Sequence, residues 1–285
     1  MDTRERTNMV RRRAVILIAL SLLLQPGRSL SEGKEQDIKL TVFAAASLNE
    51  AFQGIAKVFH RENPNITVEF SFAGSQQLVQ QLSEGAQADV FASADLKQMD
   101  IAVHAGTIDS TTVQIFAHNE LVMIVPKTGA VIQSIRDLTN TGMKIVLADN
   151  AVPAGRYSLQ SLDRISSDSA FGREFKEKVL RNVVSYEENV RAVLAKVVLG
   201  EADAGIVYVS DIAGDPARDL TAIEIPDAWN IIASYPIATV KGSRHHVAAE
   251  LFLRFVLSKD GQSVLRRFGF LTGGTYDLST TGRNK

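Results

Sequence analysis

The chain is 285 residues long, 45% apolar and 22% charged, with no cysteine; that length supports about two cores of ordinary size, and the composition excludes an intrinsically disordered protein. Six arginines and two acidic residues fall in the first thirty positions, which leaves 25 basic against 30 acidic side chains beyond them. A chain with no basic field is a poor partner for nucleic acid, and one without thiols has neither a disulfide framework nor an attachment point for a lipoprotein's lipid.

Residues 1–30 read as a secretory signal peptide. Arg11, Arg12 and Arg13 precede eleven apolar-rich residues at 14–24 (AVILIALSLLL), and the turn-prone QPGRS follows at 25–29. The apolar run is short for a bilayer span, so an uncleaved membrane anchor is the competing reading. Export is therefore expected, and not as a lipoprotein.

From residue 39 onward, short apolar runs alternate with helical patterns. Strands are predicted at 40–45, 67–72, 90–92, 121–125, 144–147, 205–209 and 236–240. Helices are predicted at 48–60, 76–84, 96–104, 155–164, 171–180, 188–199, 247–258 and 261–268. Regular alternation of this kind means an α/β architecture with largely parallel sheets. In the first helix Leu48, Phe52, Ile55 and Phe59 fall on one stripe, and Ser47 with Glu50 three residues later makes a capping-box pattern. Val190, Val193, Leu194, Val197 and Val198 repeat the stripe later, with Gly200 as the stop. No linker of distinct composition marks a boundary. Topology suggests one lobe from 38–121 and 241–278, and a second from 122–240.

Catalytic signatures are absent: there is no nucleophile elbow, P-loop, dinucleotide fingerprint or HExxH pair. The five histidines, His60, His104, His118, His245 and His246, sit at helix ends or in polar turns without ligand-spaced partners, so they read as surface residues. Asp89 and Asp95 flank a short strand, with Asp95 placed as a helix N-cap. An exported hydrolase using either carboxylate is the weaker alternative to a binding protein.

Four turns share one design. Ala46-Ser47, Ala73-Gly74-Ser75, Pro153-Ala154-Gly155 and Glu188-Asn189-Val190 each open a helix after a strand, with small residues around unpaired amide N–H groups at the positive helix end. Tyr208 closes the run GIVYV. Such turns collect at the carboxyl edge of α/β sheets, which points to an anion site between two lobes.

Six strings carry a resemblance: VFAAASL at 42–48, FAGSQQL at 72–78, ADVFASAD at 88–95, VPAGRYS at 152–158, ENVRAVL at 188–194 and GIVYVSD at 205–211. In order, they are similar to the motifs of periplasmic molybdate-binding proteins of molybdenum ABC importers, over about residues 38–278. The resemblance implies a two-lobe type II periplasmic-binding fold, with mixed sheets flanked by helices and a ligand cleft between the lobes. It also implies no cofactor, molybdate or tungstate as ligand and a membrane ABC permease as partner. Carried over position by position, Ser47 and Ser75 would donate from hydroxyl and backbone, Ala154 and Val190 from backbone N–H, and Tyr208 from its phenol. Arg156 is expected on a solvated helix face. Donors without acceptors suit a fully deprotonated dianion and reject phosphate, whose proton would face donors only. Sulfate has the right charge and shorter bonds, so a sulfate or other oxyanion receptor on the same scaffold is the closest alternative.

Overall fold

The computed structural model of the protein describes residues 37–214 and 218–272; the leader read in residues 1–30 lies outside them. The first segment runs β1 (Ile38–Ala45), a 3-10 turn (Ala46–Leu48), α1 (Asn49–Glu62), β2 (Ile66–Ala73), α2 (Ser75–Ser83), β3 (Val90–Ala92), α3 (Leu96–His104) and β4 (Gln114–Asn119). The second runs β5 (Leu121–Pro126), β6 (Ile145–Ala148), α4 (Pro153–Ser167), α5 (Phe175–Arg181), β7 (Val183–Glu187), α6 (Val190–Val198), β8 (Ala204–Tyr208) and β9 (Leu220–Glu224). Then β10 (Ala233–Thr239), α7 (His246–Leu257) and α8 (Lys259–Arg267) complete the order. Among the described residues no helix is long and apolar enough to cross a membrane.

Two five-stranded mixed sheets result, ordered β2-β1-β3-β10-β4 and β7-β6-β8-β5-β9. Each has three parallel strands, then one antiparallel strand that arrives from the other lobe: β10 pairs antiparallel with β3 and β4, and β5 with β8 and β9. The expectation of largely parallel sheets is therefore corrected, because the two crossing strands reverse the direction at the same place in each sheet. The return to the first sheet also comes earlier than the expected position near 240, since β10 is already part of it.

Apolar periodicity built the core as expected. Leu48, Phe52, Ile55 and Phe59 are all fully buried, and α1 packs on α7 through Phe59 and Phe252, whose ring centroids are 5.3 Å apart and nearly perpendicular. Each such side chain withdraws about 2–3 kcal/mol of apolar surface from water. On α6, Val190, Val193, Leu194 and Val197 are buried, whereas Val198 is 40% exposed at the helix end. Gly200 follows with φ +73°, the left-handed stop that its lack of Cβ permits.

Candidate functional site

The parallel strands β1, β2 and β3 of one sheet and β6, β7 and β8 of the other end toward a common seam, and the turns after them meet there. Ala46, Ser47, Gly74, Ser75 and Ala94 come from the first lobe, and Pro153, Ala154, Asn189, Val190 and Tyr208 from the second; together with Ala45, Ala73 and Val152 they line one cavity. All five residues singled out in the sequence, Ser47, Ser75, Ala154, Val190 and Tyr208, line it. The cavity has room for roughly one water molecule.

No charged side chain is among the lining residues. The polarity comes from helix starts: α2 begins at Ser75, α4 at Pro153 with Pro in its first turn, and α6 at Val190 behind the N-cap Asn189. The first-turn amides of a helix have no acceptor within it, and they carry its positive end. The Ser75 Oγ accepts from the Ala94 amide at 3.0 Å, so its own proton is available elsewhere. The Tyr208 phenol oxygen is buried with no hydrogen-bond partner. Burial, with further contributions from Tyr235, Tyr157 and Asp211, pushes its pKa well above the ordinary tyrosine value, so it stays a neutral donor. The arrangement can hold an anion that accepts hydrogen bonds and offers none.

Polar contacts across the seam surround the cavity. Gln76 Nε2 donates to the Glu188 carbonyl at 2.8 Å, Gln77 Nε2 to the Glu188 carboxylate at 3.0 Å, and Gln98 Nε2 to the Ala151 carbonyl at 3.4 Å. Arg191 meets Glu50 at 2.6 Å, and Arg156 pairs with Asp95. The capping box expected from Ser47 and Glu50 is not formed: Ser47 lies in the 3-10 turn with its hydroxyl on Tyr235 at 2.9 Å, and Glu50 is drawn to Arg191. Arg156, expected in solvent, has a side chain only 16% exposed, because it is drawn to Oδ2 of the buried Asp95. Asp95 does cap α3, accepting from the Gln98 amide at 2.8 Å.

Asp89 and Asp95 sit at opposite ends of β3. Each has its own partners, Asp89 on Thr41, Ser243 and His245 and Asp95 on Gln98 and Arg156, so they form no acid/base pair. Asp89 is held by the Thr41 amide at 2.8 Å and the Ser243 hydroxyl at 2.6 Å, with His245 at 3.4 Å. His118 lies within β4, partly buried with its Nδ1 3.1 Å from Ser234 Oγ, and burial lowers its pKa. Among the described residues no group of three or more His, Asp or Glu is placed to hold a metal ion. A larger hollow of about 540 Å³, lined by Lys144, Lys178 and Arg181 among others, gathers no helix starts. Two of its cations are answered by Glu174 and Glu177.

The sequence reading placed Gly74 and Asn189 in the site's turns without naming them as contacts, and it missed Ala94, which lies inside a quoted string. It also missed the seam contacts of Gln76, Gln77 and Glu188, which only the approach of the lobes creates.

Residues 40–271 match the family model described as bacterial extracellular solute-binding protein. The molybdate-binding protein ModA of Mycobacterium tuberculosis (strain ATCC 25618 / H37Rv) is 38% identical over 235 residues, covering 81% of this chain and 84% of that protein. Two solved structures share the fold at 19% identity. The periplasmic molybdate-binding protein of Azotobacter vinelandii has a TM-score of 0.72, covering 82% of this chain and all of that one. The sulfate-binding protein SubI of Mycobacterium tuberculosis H37Rv has a TM-score of 0.74, covering 85% of this chain and 88% of that one. By the family match over residues 40–271 and the 38% identical relative, the chain belongs to the bacterial extracellular solute-binding proteins.

Proposed function

We propose that this protein captures molybdate, and with it tungstate, in the periplasm and delivers it as a monomer to a membrane ABC permease, without catalysing a reaction. The single observation that carries the reading is the convergence of Ser47, Ser75, Ala154, Val190 and Tyr208 on one cavity whose lining holds no charge. A doubly charged, fully deprotonated tetrahedral ion accepts from every one of those groups. Hydrogen bonds to a charged group contribute about 1.5–3 kcal/mol each. The 38% identical relative, a molybdate-binding protein, supports the choice of ion. The lack of cysteine in the chain supports a form without a lipidated thiol, and the leader pattern at 1–30 supports export.

The cavity is close to the size of one water, so ion entry requires the lobes to part slightly and reclose. A second reading, a sulfate receptor, is favoured by the fold shared with SubI, and it differs in ion size alone. Calorimetry on the purified chain with molybdate, tungstate, sulfate and phosphate separates the two. Submicromolar molybdate binding with weak sulfate binding is expected, and the reverse order overturns the choice. Ser47→Ala should weaken molybdate binding by at least about 1 kcal/mol with the melting temperature little changed.

A further inference from the structure

A serine hydroxyl can donate or accept, and what lies behind Ser47 decides which it does toward the cavity. Its Oγ is 2.9 Å from the phenol oxygen of Tyr235, a residue of β10 with no exposed surface. That phenol oxygen lies 3.4 Å from Nδ2 of Asn119, also fully buried, whose amide group donates to Ser210 Oγ at 2.7 Å. The Asn119 side chain has one orientation, because its Oδ1 accepts from the Glu120 amide at 3.0 Å. Its NH2 group therefore faces Tyr235 and Ser210. With Asn119 donating to the Tyr235 oxygen, the Tyr235 proton goes to Ser47 Oγ, and the Ser47 proton is left to point into the cavity. The Ala94 amide does the same for Ser75 in a single step.

We propose that Tyr235 and Asn119, neither of which lines the cavity, are positioning residues that make Ser47 an obligate donor and so set the preference for fully deprotonated oxyanions over protonated ones. This rests on the oxyanion reading above. Burial raises the Tyr235 pKa far above the ordinary tyrosine value, so the relay keeps its proton throughout the working pH range.

The test is a calorimetric cycle of wild type, Tyr235→Phe, Ser47→Ala and the double variant, titrated with molybdate and with sulfate, each in competition with phosphate at neutral pH. Tyr235→Phe retains the ring that packs edge-on against Phe116, Tyr208 and Phe270. Affinity for the wild-type ion should fall by up to about tenfold, bounded by one charged hydrogen bond, because Ser47 is no longer held as a donor. Phosphate should become a relatively better competitor, because a freely rotating Ser47 hydroxyl can accept its proton. In the Ser47→Ala background, Tyr235→Phe should change nothing further. Additive losses, or an unchanged ratio of ion to phosphate affinity in folded Tyr235→Phe, overturn the proposal. Should that variant fail to fold, Asn119→Ala breaks the same chain one link back, and an unchanged ratio there overturns it equally. Wild-type binding of sulfate in place of molybdate sinks the choice of ion while the cycle, run with sulfate, still decides the relay. Binding of neither ion sinks both.

Discussion

Tyr208 ends a fully buried strand with its phenol oxygen unpartnered, and a buried hydroxyl left without a bond costs about 1–3 kcal/mol. Under the proposed reading a bound oxyanion would remove that cost, and Tyr208 would contribute to affinity through the empty state as well as the filled one. Three residues on, Asp211 is fully buried and accepts from the Tyr208 amide at 3.0 Å, with Arg191 3.8 Å away. Burial outweighs these and raises its pKa from 3.8 to about 7. Below about pH 4 the carboxyl is protonated folded and unfolded alike; as pH rises toward 7 the unfolded chain releases the proton first, so stability falls across that window. A rise from 3.8 to about 7 corresponds to about 4 kcal/mol at full ionisation. Asp211→Asn should flatten the pH dependence of urea unfolding between pH 4 and 8 and stabilise most at pH 8; a parallel pH profile would refute the assignment. Ser47 and Ser75 were legible because a hydroxyl among small residues between strand and helix is a local pattern. Tyr235 was not, since 188 residues separate it from the serine it touches.

Helix starts form the site, and two glycines set how closely they approach their surroundings. A Cβ on Gly74 would lie 2.6 Å from the Glu188 carbonyl of the opposite lobe, whereas one on Gly155 would lie 2.1 Å from the Asp149 carbonyl of its own lobe. The consequences differ. Gly74→Ala should hold the lobes apart, weakening molybdate binding about tenfold or more with little loss of stability, because the clash is relieved by opening. Gly155→Ala cannot be relieved that way and should lower stability by about 1–3 kcal/mol. Calorimetry and thermal unfolding of both variants check this; equal destabilisation of the two would contradict it. At this scale the sequence was readable where apolar spacing was regular, as in α1. The unpredicted strands β4, β7 and β9 are all sheet edges, and their polar segments QIFAHN, VVSYE and LTAIE lack the apolar runs that betray interior strands.

Across the whole molecule, the lobes are joined where β4 passes to β5 through Glu120 and where 225–232 returns to β10. Asn230 ties these crossings together, its Oδ1 accepting from the Leu121 amide at 3.0 Å and its Nδ2 donating to the Leu121 and Ile225 carbonyls at 2.9 and 3.1 Å. On the cleft side the lobes meet through Arg191 and Glu50, partly buried partners one residue after Val190 and three after Ser47 respectively. Arg191→Gln should speed ion release several-fold while slowing entry little, since the pair exists only when the lobes are together; stopped-flow dissociation would read it, and an unchanged release rate would exclude the pair from closure. The lobe bounds were placed from topology alone, and the early return of β10 was hidden because a crossing strand looks like any other buried strand. In the proposed function one charge-free cavity between the lobes holds the ion. A crystal structure of the chain grown with molybdate tests it directly: one ion is predicted within hydrogen-bond distance of the Ser47 and Ser75 hydroxyls, the Ala154 and Val190 amides and the Tyr208 phenol. An ion bound elsewhere, or held by Arg156 or another charged side chain, would contradict it.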